Sequence, residues 1–253
     1  MPLTRRDTLG LAGTALAGAL LPSRLSAAPA KIDAVIFDAF TVFDPRPIFE
    51  SLEEIAPGRG KELGNLWRTR QFEYTWLRTV AGEYKDFWKV TRDGLVYAAE
   101  ALHVPLSPRK AQQIMNGYLQ LQPWPDAKAA LATLREQGLK LAFLSNFTPR
   151  MLNAAIGGSG LSGTFAKAIS TDAVRTFKPD PRAYRLAVEV LRTPRDRILF
   201  APFAGWDAAG GKWFGYETFW VNRLGTPPEI LGVEANAMGS NLDDLVEYLR
   251  LRA

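Results

Sequence analysis

The chain contains no cysteine and only one histidine, His103. Without cysteine it has no disulfides, no thiolate nucleophile and no zinc site built on sulfur. One histidine does not make a multi-histidine metal site, and a Ser-His-Asp triad would depend on His103 alone. Most hydrolase mechanisms are therefore excluded.

A strong excess of charge of one sign is also missing. The formal net charge is +5, and the first 30 residues supply part of it, with Arg5, Arg6 and Arg24 against Asp7. No basic stripe follows, so we predict no nucleic-acid partner. Of the 253 residues, 47% are hydrophobic and 23% are charged, as in globular proteins. The length allows one large domain or a core with an inserted module.

The amino terminus resembles an export signal. Arg5-Arg6 precede residues 9–21, an apolar run rich in glycine and alanine that is too short to span a bilayer. The adjacent arginines predict the twin-arginine route, and hence a periplasmic protein without stable membrane association. The alternative is an apolar helix, but glycine and alanine make a poor packed core. We assign residues 1–30 to the signal, with cleavage after Ala28 or Ala30.

Four short apolar runs predict buried parallel strands, at residues 31–37, 139–144, 198–200 and 219–221. Helical stretches separate them, which is the pattern of an α/β protein with a doubly wound parallel sheet. Polar residues follow the first three runs, namely Asp38, Ser145-Asn146 and Asp207. Because such sheets build their sites at the carboxyl ends of the strands, we expect these residues at the site.

No comparable strand appears between Pro45 and about Pro125. Aromatic residues and leucines recur there with helical spacing, namely Leu66, Trp67, Phe72, Tyr74, Trp76, Leu77, Phe87, Trp88 and Tyr97. This predicts a helical insert that covers the end of the first strand. The predicted organisation is a core of residues 31–45 and 126–253, with a helical cap of residues 46–125.

Several short stretches carry a family resemblance. They are Phe37-Asp38-Ala39-Phe40, Pro57-Gly58-Arg59-Gly60, Leu66-Trp67-Arg68, Glu73-Tyr74-Thr75-Trp76-Leu77-Arg78, Leu144-Ser145-Asn146, Phe177-Lys178-Pro179-Asp180 with Tyr184, and Gly205-Trp206-Asp207-Ala208. Their order resembles the haloacid dehalogenase superfamily, which has a Rossmann-like core, and more closely its L-2-haloacid dehalogenase branch. The resemblance covers nearly all of the chain after residue 31.

The resemblance implies hydrolysis of short L-2-haloalkanoic acids to 2-hydroxy acids. Asp38 matches the nucleophile that forms a covalent ester; its alternative role is a helix N-cap. Arg68 matches an arginine that cradles the departing halide; its alternative is a surface salt bridge. Lys178 would neutralise Asp38 and the substrate carboxylate, and Asp207 would hold the lysine.

The same resemblance implies a set of substrate-binding residues. They are Thr41, Ser145, Asn146, Phe40, Phe72, Phe87, Tyr184 and Trp206. Core packing is an equal alternative for each of the four residues Phe40, Phe72, Phe87 and Trp206. Helix capping is the alternative for Ser145-Asn146, and the two roles are compatible.

The residues predict no metal and no cofactor. A phosphatase of the superfamily needs a second aspartate two residues after the first, and Phe40 stands there. Asp207 has no adjacent carboxylate, so too few oxygens remain for Mg²⁺. The expected partner is a small 2-haloacid, and family analogy implies a homodimer formed through the cap.

Two departures from the family leave alternatives open. Residues 38–44 are one residue shorter than the usual first motif, so either Thr41 or Val42 matches its threonine. Pro202 and Ala204 occupy positions where the family usually has serine and asparagine, so hydrolysis of the ester is expected to slow. The alternatives are a related hydrolase acting on another small electrophilic acid and a non-catalytic periplasmic carboxylate binder.

Overall fold

The computed structural model describes residues 31–252. The predicted export signal, residues 1–30, and both predicted cleavage points lie outside the described residues. No helix within 31–252 is long and apolar enough to cross a bilayer.

The described chain alternates strands and helices. The strands are β1 Ala34–Phe37, β2 Phe43–Asp44, β3 Gln122–Pro123, β4 Lys140–Ser145, β5 Lys167–Ser170, β6 Ile198–Ala201, β7 Glu217–Val221 and β8 Ala237–Gly239. The helices are α1 Ala39–Val42, α2 Arg46–Glu50, α3 Gly60–Ala81, α4 Phe87–Ala101, α5 Pro108–Asn116, α6 Ala127–Glu136, α7 Pro149–Gly158, α8 Pro181–Leu191, α9 Gly205–Phe214 and α10 Leu242–Arg250.

Six strands form one parallel sheet in the order β5-β4-β1-β6-β7-β8. The predicted α/β class with a doubly wound parallel sheet is confirmed. Each of the four predicted runs overlaps a strand of this sheet, namely β1, β4, β6 or β7. The sequence pattern did not predict β5 and β8, which are short edge strands.

The central strand β1 shows why its sequence is apolar throughout. Its side chains alternate between the two faces, so Val35 and Phe37 pack into one core while Ala34 and Ile36 pack into the other. All four are fully buried. Phe37 pairs with Phe143 of β4 and Ala201 of β6, so three strands end side by side next to Asp38.

Helices α2 to α5 follow β2 and occupy the segment predicted as a cap. Helices α3 and α4 pack closely, because a Cβ atom at Gly94 would lie only 3.1 Å from the backbone nitrogen of Gln71. The buried Trp67 donates its Nε1–H to the carbonyl of Thr91 at 2.7 Å. The segment also holds β3, a two-residue strand that the sequence pattern did not predict.

Strand β3 pairs antiparallel with β2 and joins the cap to the core. Next to this ribbon, Trp124 donates its Nε1–H to the carbonyl of Phe40 at 3.0 Å. Arg223 donates its Nε–H to the carbonyl of Thr41 at 2.9 Å. Its two terminal nitrogens form a bidentate ion pair with the carboxylate of Asp126. The backbone just after Asp38 is therefore held by the cap junction and by the loop after β7.

Candidate active site

Asp38 directly follows β1 and begins α1. Its Oδ2 accepts a hydrogen bond from the Phe40 backbone N–H at 3.0 Å, and its Oδ1 lies 2.8 Å from the Lys178 Nζ. The first bond is the helix N-cap considered as the alternative role. A cap does not account for the buried lysine on the other oxygen. Asp38 therefore caps α1 and also belongs to a buried ionic group.

Lys178 lies beneath Asp38 and is 1% exposed. Its Nζ is 2.5 Å from Oδ2 of Asp207 and 3.2 Å from the carbonyl oxygen of Leu144. Burial lowers the pKa of the ammonium, but the nearby carboxylates of Asp207 and Asp38 outweigh burial and hold this pKa above its ordinary value. The lysine is therefore a permanent positive charge between two carboxylates.

Asp207, in the first turn of α9, is held from the other side by Tyr184 of α8. The Tyr184 hydroxyl donates to Oδ1 of Asp207 at 2.7 Å. Burial raises the pKa of Asp207 to about 6, while Lys178 and Tyr184 act in the opposite direction. The hydroxyl approaches so closely because position 210 is glycine, where a Cβ atom would overlap it.

Ser145 ends β4, Asn146 follows it, and both line the cavity in front of Asp38. Ser145 Oγ accepts a hydrogen bond from the Phe147 N–H at 3.2 Å, which leaves its own proton free to donate. Asn146 Oδ1 accepts from the Lys178 backbone N–H at 3.0 Å. Neither residue caps α7, because that helix begins at Pro149 and Thr148 is its cap.

Arg68, on α3, reaches the cavity from the cap. Within residues 31–252 its guanidinium has neither an ion-pair nor a hydrogen-bond partner, so the surface salt bridge considered from the sequence is absent there. Burial lowers the pKa of Arg68 below its ordinary value. Its Cζ lies 6.0 Å from the centre of the Phe72 ring. An arginine side chain stays positively charged in a protein even when burial lowers its pKa. A half-buried cation thus faces the cavity.

The cavity has a volume of about 490 Å³. All four aromatic residues predicted for the pocket line it together with Asp38 and Arg68; they are Phe40, Phe72, Phe87 and Trp206. Sequence reasoning missed three further rings in the lining, Phe49, Phe147 and Phe203. Phe147 and Phe203 follow strand-end segments already singled out, Ser145-Asn146 and Pro202, and that adjacency was the available signal. Phe49 lies on α2, and no motif pointed to it.

Two predicted substrate-binding residues lie outside the cavity lining. Thr41 is fully buried, and its hydroxyl donates to the carbonyl of Ala201 at 2.8 Å, because the first turn of α1 directs it towards β6. Tyr184 is also fully buried, and its hydroxyl is used by Asp207. The structure therefore does not bring these two predicted residues to the cavity surface: Thr41 holds the end of β6, and Tyr184 holds Asp207, which lines the cavity.

The altered segment after β6 lies beside the site. Ala204 lines the cavity and occupies the N-cap position of α9, where it offers no side-chain hydrogen bond. Pro202 is buried, and its carbonyl accepts a hydrogen bond from the Val221 N–H at 3.1 Å. Neither side chain carries a polar atom, so Asp38 receives no hydrogen bond from either.

The donor set does not fit a divalent metal ion. Asp38 and Asp207 are already bridged by the ammonium of Lys178, and Phe40 supplies no oxygen from its side chain. Across residues 31–252 there is no group of three or more acidic, histidine or cysteine side chains placed to hold a metal.

Comparison with known proteins decides the family. A family model described as haloacid dehalogenase-like hydrolase matches residues 26–215. The chain belongs to this family. Haloacetate dehalogenase H-2 of Moraxella sp. (strain B) is 37% identical over 220 residues, which cover 87% of this chain and 98% of that protein. The (S)-2-haloacid dehalogenase of Pseudomonas sp. (strain YL) is 36% identical over 223 residues, covering 88% and 96%.

The solved structures agree. The structure of L-2-haloacid dehalogenase from Xanthobacter autotrophicus with chloropropionic acid covalently bound matches with a TM-score of 0.81 at 35% identity. The match covers 88% of this chain and 100% of that one. The predicted L-2-haloacid dehalogenase branch and the predicted enzyme class, an (S)-2-haloacid dehalogenase-like hydrolase, are confirmed.

Proposed function

We propose that this haloacid dehalogenase-like hydrolase displaces halide from L-2-haloacids through an ester on Asp38 and then hydrolyses that ester to a 2-hydroxy acid. One observation supports this most strongly: Asp38, whose carboxylate is paired with a buried lysine, lines the same cavity as Arg68, which has no ion-pair partner among residues 31–252. A carboxylate nucleophile and a separate anion acceptor are what a displacement of halide requires.

In the first step, one carboxylate oxygen of Asp38 attacks C2, the new C–O bond forms and the carbon–halogen bond breaks. The electron pair of that bond leaves with the halide, so no proton donor is needed. Negative charge moves from Asp38 to the halide, and Arg68 offers a weakly hydrated cation that forms no ion pair within the part of the chain that the structure describes. The hydroxyl of Ser145 donates a hydrogen bond to the substrate carboxylate.

In the second step, water adds to the ester carbonyl of Asp38 and gives one proton to an acceptor. The carbonyl C–O bond then breaks, and the acceptor returns that proton to the leaving alkoxide, which gives the 2-hydroxy acid. The second proton of the water leaves to solvent as the carboxylate of Asp38 forms again. We assign the proton acceptor to Asp207, which lines the same cavity. Its pKa of about 6 leaves it ionised at neutral pH, and each oxygen keeps a free lone pair. Lys178 stabilises the carboxylate of Asp38 that reappears.

We also propose that the reaction needs no metal. The ammonium of Lys178 already lies where a divalent ion would have to bridge Asp38 and Asp207. Halide departure requires neither protonation nor a Lewis acid of the kind that phosphoryl transfer uses.

The decisive experiment measures halide release from L- and D-2-chloropropionate, each with and without EDTA and with no added metal. We expect release from the L form only, and its loss in Asp38→Asn. Asp196→Asn, a change at an exposed carboxylate away from the cavity, is the matched control and should keep full activity. Release that survives in Asp38→Asn would refute the covalent mechanism, and release abolished by EDTA would refute metal independence.

Pro202 and Ala204 favour a second candidate function, in which the protein binds or captures a carboxylic acid without turnover. No polar side chain from these positions reaches the ester. Mass spectrometry of the intact protein after mixing with L-2-chloropropionate separates the two. A stable adduct on Asp38, with one halide released per chain, would support capture; binding without adduct or halide would support a carboxylate binder. Continuous release would support the hydrolase.

We further propose that two chains associate through the cap. Large apolar side chains on α3 are exposed there, with Trp76 at 36%, Leu77 at 63% and Val80 at 89% exposure. Burying them in an interface removes apolar surface from water. Sedimentation equilibrium should report a dimer for the unmodified chain and a monomer for Leu77→Glu. Ile230→Glu, at an exposed site outside the cap, should remain dimeric, and a monomeric unmodified chain would refute the proposal.

Export to the periplasm by the twin-arginine route is proposed on Arg5-Arg6 and the apolar run after them. Cell fractionation of the full chain should find it in the periplasm, and Arg5→Lys with Arg6→Lys should retain it in the cytoplasm. A periplasmic double variant would contradict this route.

A further inference from the structure

The cavity, which is open to solvent on one side, is larger than the short acids expected from the sequence. At about 30 Å³ for each heavy atom, the share of one water molecule in the liquid, the six heavy atoms of 2-chloropropionate need on the order of 180 Å³. The cavity measures about 490 Å³. A short acid would therefore leave most of it to water, beside a nucleophile that works best when desolvated.

The buried and half-buried polar groups of the cavity serve the reacting end of the substrate or are already bonded within the protein, as Gln71 is to Thr91 and Tyr118. The other charged and amide side chains of the lining are exposed, namely Arg46, Glu50, Glu53, Lys61 and Asn65. Asp38 must approach C2 from the side opposite the halide, and Arg68 receives the halide. Ser145 and Asn146 face the carboxylate. The remaining large substituent on C2 is left with the apolar part of the lining, which consists mainly of aromatic rings.

Those rings form two groups that line the same cavity. In the first group, Phe40 lies edge-on to Phe147 with centroids 5.1 Å apart, and 5.8 Å from Phe203. In the second, Phe72 lies edge-on to Trp206 at 5.3 Å. Rings in these arrangements provide edges and faces for another ring, and such contacts contribute beyond the area they bury.

We propose that the substrate is a 2-haloacid with an aromatic 2-substituent, of the size of L-2-chloro-3-phenylpropanoate. Its twelve heavy atoms need on the order of 360 Å³ on the same scale, which the cavity accommodates. The short side chain of Ala204 contributes to this space next to Trp206. The inference rests on the proposed displacement chemistry and adds the identity of the group on C2.

The test compares kcat/KM for chloride release from L-2-chloro-3-phenylpropanoate and from L-2-chloropropionate. We expect the phenyl substrate to be favoured by at least about tenfold, since filling an apolar pocket is worth roughly that for a single well-fitted group. Equal or lower kcat/KM for the phenyl substrate would overturn the inference while leaving the dehalogenase function intact. Chloride release from neither substrate would refute the proposed function itself.

A variant at the cavity mouth tests the same inference independently. Leu224 lines the cavity and is 43% exposed, so Leu224→Trp should narrow the space and lower the phenyl-to-methyl ratio of kcat/KM at least fivefold. Leu231 has the same exposure in the same loop but does not line the cavity. Leu231→Trp should leave the ratio unchanged. A ratio that responds equally to both changes, or to neither, would count against the aromatic substituent.

Discussion

The two sides of the cavity are built on opposite principles. On the core side, Asp38, Lys178, Asp207 and Tyr184 form a continuous chain of hydrogen bonds, each group held by its neighbours and nearly hidden from water. On the cap side, Arg68 has no ionic partner within the described residues, although it is half-buried. On the core side every charged group has its ionic or hydrogen-bond partner without substrate, whereas on the cap side Arg68 does not within those residues.

This contrast separates stability from activity. Loss of any charged member of a buried ionic chain destabilises the fold, because the remaining partner is left without a counter-charge in a medium of low dielectric. An unpartnered, half-buried cation already costs desolvation free energy in the empty protein, and an arriving anion recovers that cost. We therefore expect changes on the core side to affect both folding and chemistry, and changes on the cap side to affect chemistry alone.

The largest effect is expected for Lys178→Met, which keeps the length of the side chain and removes its charge. Asp38 and Asp207 would then be close neighbours without a cation between them. We expect halide release to become undetectable and the free energy of unfolding to fall by about 3–5 kcal/mol, as for one partner lost from a buried ion pair. Chloride assays and urea denaturation measure the two quantities.

The matched control is Lys167→Met, at an exposed lysine on β5. It should leave both measurements within experimental error of the unmodified protein. If Lys178→Met unfolded at the same urea concentration as the control, the ionic chain would not be a stabilising feature and the contrast between the two sides would fail.

The next prediction concerns the cap side. Arg68→Gln should lower kcat/KM for 2-chloropropionate by about 10²–10³-fold, the effect of removing one preorganised donor for developing negative charge. The free energy of unfolding should be unchanged or slightly increased, because no ion pair is lost. Arg92→Gln, at an exposed arginine of α4, is the control for a change in charge alone. A marked loss of stability in Arg68→Gln would show a structural role instead.

The core side was largely predictable, for a topological reason. Parallel strands that are neighbours in a sheet bring their carboxyl ends to one edge, so Asp38, Ser145 and Asp207 were expected together from strand positions alone. Lys178 was different. Nothing in Phe177-Lys178-Pro179 indicates burial, and this lysine entered the predicted site only through the family resemblance.

The sequence pattern could not show in which direction each side chain points. Thr41 is three residues from the nucleophile, yet the turn of α1 points its hydroxyl at Ala201 and away from the cavity. The sequence also could not show that Arg68 lacks an ionic partner among residues 31–252, because this depends on where every acidic side chain lies in the fold. The short edge strands β5 and β8 lack an apolar run long enough to stand out from a loop.

A third prediction, with a smaller expected effect, concerns the hydrogen bond from Tyr184 to Asp207 on the core side. The Tyr184 hydroxyl lowers the pKa of Asp207, which burial raises to about 6. Because we assign proton acceptance to ionised Asp207, the rate of ester hydrolysis should fall as pH drops through about 6. Tyr184→Phe removes the hydrogen bond, so the pKa of Asp207 should rise and the acid limb of the kcat profile should move to higher pH.

The same substitution should cost about 1 kcal/mol of stability, the usual contribution of one hydrogen bond. Tyr216→Phe is a suitable control, because its buried hydroxyl donates to the carbonyl of Tyr184 and does not touch Asp207. It should lose similar stability without shifting the limb. An acid limb that stays in place in Tyr184→Phe would contradict the assignment of Asp207.

The smallest expected effect lies where the two sides meet, at Ala204. Its backbone angles, φ −95° and ψ 144°, are those of an N-cap residue, but alanine leaves the first N–H groups of α9 without a side-chain partner. Ala204→Asn should supply that partner and raise the free energy of unfolding by about 1 kcal/mol. Ala204→Val, which adds volume without a hydrogen-bond acceptor, should not stabilise the protein.

The rate of chloride release by Ala204→Asn also tests whether the apolar side chain at position 204 slows hydrolysis of the ester. An amide at this position introduces a polar group into the cavity beside Trp206 and Asp207, where it can hold the hydrolytic water. If ester hydrolysis limits turnover because this corner is apolar, the variant should release chloride severalfold faster in the steady state while the adduct on Asp38 becomes scarcer. If the initial burst and the steady rate are already equal in the unmodified protein, the apolar corner does not slow hydrolysis, and the core side is complete for both steps as it stands.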